Sequence, residues 1–110
     1  HRRADAVLGR RLEQCLHLVE PHDVRPPRIQ LRRMKRRWGS CGPSGRILLN
    51  PDLVIAPVDC IDYVVVHELC HLKHGYHDRA FYRLLSTVMP DWRRRRERLD
   101  DLGTHLTFAM

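Results

Sequence analysis

A chain of 110 residues, 43% hydrophobic and 30% charged, suits one compact domain and leaves no room for a second core. No apolar run approaches the roughly 20 residues that span a bilayer, and the arginine-rich start lacks the apolar stretch of a secretion signal. The net charge of +7, from 18 arginines and 2 lysines against 13 acids, permits an acidic partner without demonstrating one.

The four cysteines, Cys15, Cys41, Cys60 and Cys70, include no CxxC pair and are too sparse for a disulfide scaffold. Reduced thiols, a cytoplasmic location and no membrane partner are the expectation. Because the chain starts at His1 rather than methionine, residues 1–110 are expected to be one domain excised from a longer protein.

Taken in chain order, residues 4–19 carry Ala4, Leu8, Leu12, Cys15 and Val19 at helical spacing. Pro21 and the Pro26-Pro27 pair then stop the helix. Ile29 and Leu31 alternate with polar residues, and a phase shift at Arg32 and Arg33 leads into Met34, Arg36 and Trp38. That pattern predicts a bulged strand over 28–38, or two short strands. Residues 39–45, rich in Gly, Ser and Pro, read as a turn, and 46–50 as a strand forming a hairpin with the one before. Pro57 suits the first turn of a helix running to about His74, with Gly75 as its left-handed stop. Asp78 caps a helix bearing Phe81, Leu84, Leu85 and Val88, and Pro90-Asp91 opens a last, basic helix. The order is that of an α+β domain, a small antiparallel sheet packed on a central helix with flanking helices.

The central helix contains His67-Glu68-Leu69-Cys70-His71, an HExxH pattern. At about 100° per residue, His67 and His71 lie about 40° apart around the axis and one turn apart along it. Two imidazoles can then converge on one metal ion, with Glu68 beside them as a base for metal-bound water. Val58, Ile61, Val65, Leu69 and Leu72 fall on one side of this helix and Val64, His67, His71 and His74 nearly opposite. A strip of Asp62, Val66 and Lys73 is left for solvent. A catalytic zinc needs a third protein ligand. His74 is about 10 Å along the axis from His67, too far to share an ion around His71. His77 lies past Gly75 and can return from another direction, so geometry prefers it.

The run from His67 to Tyr82, the upstream Arg37-Trp-Gly-Ser-Cys41 and Gly45-Arg-Ile-Leu-Leu-Asn50, and Ile61-Asp-Tyr-Val-Val-Val66 together resemble the YgjP-like zinc metallopeptidase family. The stretch around His77 also resembles the related WLM and SprT-like proteases, some of which digest proteins crosslinked to DNA. The resemblance implies a zincin-like fold, one zinc ion on His67, His71 and His77, and water activation by Glu68. It implies a protein or peptide substrate. Family members usually carry a β-rich segment before the region matching Ala4, and more often an alanine where Cys70 stands.

Other residues have two readings. Trp38, Gly39 and Ser40 line the cleft in the family manner, with Asn50 as a further substrate contact, or Trp38 is core and Gly39 permits the turn. Cys41 has a thiolate that in principle reaches zinc, and Cys70 reads as a small packing residue. Tyr63, Tyr76 and Tyr82 are oxyanion candidates among which spacing does not choose. A strand at 46–50 is expected to pair with an extended substrate. The arginine groups at 28–37 and 93–98 read as solvated faces, with a nucleic-acid partner left open. Two rival functions remain at this point, hydrolysis of nucleotide phosphoanhydride bonds at the same metal site and a non-enzymatic module with structural zinc.

Overall fold

Helix α1 (Arg2–Val19) forms because its apolar residues recur on one face, and Ala4, Leu8, Cys15 and Val19 are buried along it. In the computed structural model, which describes residues 2–102, this face lies against α2 (Val58–His71). Arg11 of α1 clamps Asp62 of α2 through two bonds of 2.7 Å each. A short 3-10 turn (Glu20–His22) follows, closed by Asp23 at φ 65.

Three strands, β1 (Arg28–Leu31), β2 (Gly39–Cys41) and β3 (Arg46–Leu49), form a sheet in the order β1-β3-β2. β2 and β3 pair antiparallel, with Gly39 opposite Leu49 and Cys41 opposite Ile47. β1 pairs with β3 in parallel, Arg28 opposite Arg46 and Leu31 opposite Leu49. The α+β class stands, but the sheet is mixed rather than antiparallel throughout. The strand expected over 28–38 stops at Leu31. The hairpin partner of β3 comes instead from residues assigned to the turn. The reason is Asn50, whose amide nitrogen donates to Met34 O (2.8 Å) and Arg37 O (3.1 Å). These bonds draw the 32–38 segment into a loop long enough to cross from one sheet edge to the other. Gly45, at φ 82, and a Gly45 N–H to Gly42 O bond of 3.1 Å then close the tight turn.

A 3-10 helix (Pro51–Ile55), capped by Asn50 Oδ1 accepting from the Asp52 amide, leads to Pro57 at the N-cap of α2. From Cys60 to Cys70 every residue of α2 except Asp62 is buried. Val66, expected in a solvent strip, is wholly buried, because helices pack on more than one side of α2. The helix also ends sooner than its pattern suggests. The Leu72, Lys73 and His74 amides fold back on Leu69 O and Cys70 O at 3.0–3.1 Å, and Gly75 is not left-handed. Helices α3 (Arg79–Val88) and α4 (Trp92–Asp100) complete the described chain. α4 spends part of its charge on the scaffold. Arg94 and Arg95 bond back to Asp91, and Arg98 reaches Asp59 of α2 at 2.8 Å. No described helix is long and apolar enough to cross a membrane.

Candidate metal centre

The two helix histidines meet the third as their spacing requires. His67 Nε2 lies 2.9 Å from His77 Nε2, and His71 Nε2 lies 2.8 Å from the same atom. Among the described residues these three form the one group of His, Cys, Asp or Glu donors able to hold a metal ion, with all ligand atoms within 4.8 Å. A tetrahedral zinc with bonds of roughly 2.0–2.1 Å sets its nitrogens about 3.3 Å apart, so the two pairs through His77 would each open by a few tenths of an ångström to admit it.

Each ring is oriented by what lies behind it. His71 Nδ1–H donates to the His74 carbonyl at 3.1 Å, which leaves Nε2 as the acceptor. His67 Nδ1 faces the Tyr63 hydroxyl at 3.4 Å. Phe81, wholly buried on α3, packs against all three imidazoles at centroid distances of 5.0, 4.5 and 4.9 Å. His74 therefore contributes its backbone rather than its ring. Burial, with His71, His77 and Arg96 adding to it, pushes His67 down to about 2. Burial also lowers His71 and His77. All three are neutral near pH 7, the form that binds a cation.

Glu68 is fully buried, and neither carboxylate oxygen has a hydrogen-bond partner. Burial pushes its carboxyl up to about 8, with Arg37 pulling the other way. Gly39 of β2 explains how the side chain is held. A Cβ at that position would meet Glu68 Cγ at 3.0 Å and Oε2 at 3.1 Å. Glycine stands here for close approach rather than for a turn.

The remaining sequence candidates separate. Trp38 is 2% exposed and belongs to the core. Asn50 is wholly buried with its amide bonded to Met34 O, Arg37 O and the Asp52 N–H, so it pins the scaffold. Ser40 is half-buried on β2. Cys41 lines a recess beside His71 but stands outside the donor group, its thiol pushed up to about 11 mainly by burial. Tyr63 is the tyrosine against His67, Tyr82 is half-buried and Tyr76 is exposed. Sequence reasoning missed the ring support from Phe81. Its place ten residues after His71, just inside the capped α3, was the available signal.

A buried helix presenting two histidines, a third returning beyond it and a three-stranded sheet alongside define a zincin-like metallopeptidase. A model of the YgjP-like metallopeptidase domain matches residues 1–102, and the chain belongs to that family. It is thus a metal-dependent peptidase. No curated protein matches the sequence. Among solved structures the fold is similar to the metallopeptidase zymogen abylysin of Pyrococcus abyssi, at 24% identity and TM-score 0.76, over 91% of this chain and 99% of that one.

Proposed function

We propose that the chain hydrolyses peptide bonds with one zinc ion held by His67, His71 and His77, and with Glu68 as general base. The carrying observation is the juxtaposition of three neutral, converging Nε2 atoms with a buried carboxyl group whose oxygens have no hydrogen-bond partner. Three imidazoles leave a fourth position open, whereas structural zinc sites are closed and usually hold cysteine. When bound, zinc supplies Lewis acidity, which acidifies water and polarises a carbonyl. Glu68 takes the proton from the attacking water and passes it to the leaving amine. With burial pushing it up to about 8, Glu68 holds its proton near pH 7 in the metal-free protein, and the positive charge of a bound zinc would favour the ionised form that takes a proton. Gly39 keeps the carboxylate in place by leaving no room for it to swing toward β2.

The strand expected to hold substrate was 46–50, but β3 has β1 and β2 on its two sides and no free edge. The edge strand beside Glu68 is β2, and an extended peptide pairs there. Glu68→Gln is expected to lower peptide turnover by about 10²–10⁴-fold while zinc content stays at the wild-type level. Turnover within a factor of two of wild type would remove Glu68 from the chemistry.

A further inference from the structure

The two faces of the sheet differ in kind. Ile47 and Leu49 are buried on one side, where Gly39 abuts Glu68 and Cys41 borders the recess at His71. Strand alternation sends Arg28, Gln30, Ser40, Arg46 and Leu48 to the other side. There the 32–37 loop, Ser40 and Leu48 line a groove of about 530 Å³. Residues 28–49 hold seven basic side chains and no acid, as many positive charges as the net charge of +7 of the whole chain. Asp52 pairs with Arg33 at 3.3 Å.

A peptide paired on the outer edge of β2 turns successive side chains to opposite faces. One set meets the recess of about 400 Å³ beside His71, whose further lining, including Pro43, Leu72 and Tyr76, is uncharged. The other set meets the basic groove. We propose that the peptidase selects segments with acidic side chains at alternate positions, drawn to the 32–37 loop, and uncharged side chains between them. This rests on the peptidase reading above and names its substrate class. Two features favour a peptide over a nucleic acid. Ser40 makes the groove continuous with the strand edge beside the metal site, and the groove lining has no aromatic ring on which a base could stack.

The test uses zinc-loaded protein and two fluorogenic peptides that differ only in Glu or Gln at alternate positions. The expected kcat/KM favours the Glu peptide by about tenfold, through KM, and the preference shrinks at high salt. In the Arg32→Glu/Lys35→Glu variant, two exposed loop positions, the ratio should fall toward one. Equal cleavage of both peptides by the wild type would overturn the proposal and leave the peptidase reading standing. If neither peptide is cleaved, that reading fails. Fluorescence anisotropy of the same peptides on Glu68→Gln protein then decides. Preference for the Glu peptide, lost in the loop variant, supports the groove, and equal affinity overturns it. A single-stranded oligonucleotide of matched charge that binds more tightly and displaces the Glu peptide would also overturn it, assigning the face to nucleic acid.

Discussion

Two of the converging imidazoles stand on α2 and one on the turn beyond it, and the two regions are held by different means. His67 and His71 are 4% and 9% exposed, set by the helical repeat and backed by Tyr63 and the His74 carbonyl. His77 is in no helix. Its turn is tied at one end by Lys73 Nζ donating to His22 O at 2.7 Å, and at the other by Asp78 capping α3. Backbone periodicity aims the first pair. Closure of a short segment brings the third. The contrast teaches that the helix half of the site is built with the core, whereas the turn half is placed by bonds at its ends and by Phe81 packed against the His77 ring.

Phe81 underlies both halves, so its loss gives the largest effect. Phe81→Ala is expected to destabilise the metal-free protein by about 3–5 kcal/mol, measured by denaturant unfolding, and to weaken zinc binding. A loss of under 1 kcal/mol would mean that the ring is not the shared support. Gly39→Ala acts on the helix half alone, by pushing Glu68. Turnover should drop by about 10–100-fold with zinc content retained, and unaltered kcat would show that the carboxylate yields without consequence. Asp78→Ala touches only the turn half. It should cost about 1 kcal/mol of stability through the lost cap, and weaken zinc binding in a chelator competition. Unchanged zinc affinity would detach the placement of His77 from the start of α3.

What was legible in the sequence followed the same division. The α1 stripe, the HExxH helix and the Asp78 cap are local, periodic or short-range features, and they were readable as such. His77 was preferred because helix rise puts His74 out of reach of the ion. The sheet was less readable because its register depends on contacts distant in sequence. Nothing local announces that Asn50 reaches back to Met34 and Arg37, and those bonds end β1 early. Gly39 looked like a turn residue because its composition is that of a turn, while its reason lies 29 positions away in Glu68. Val66 looked solvent-facing on a helical wheel that includes only one helix.

The most direct measurement is metal content by elemental analysis of wild type and His77→Ala, purified without added metal. The expected result is about one zinc per chain in the wild type and a large reduction in the variant. No metal in the wild type, or the same content in both, would contradict a catalytic centre built from His67, His71 and His77.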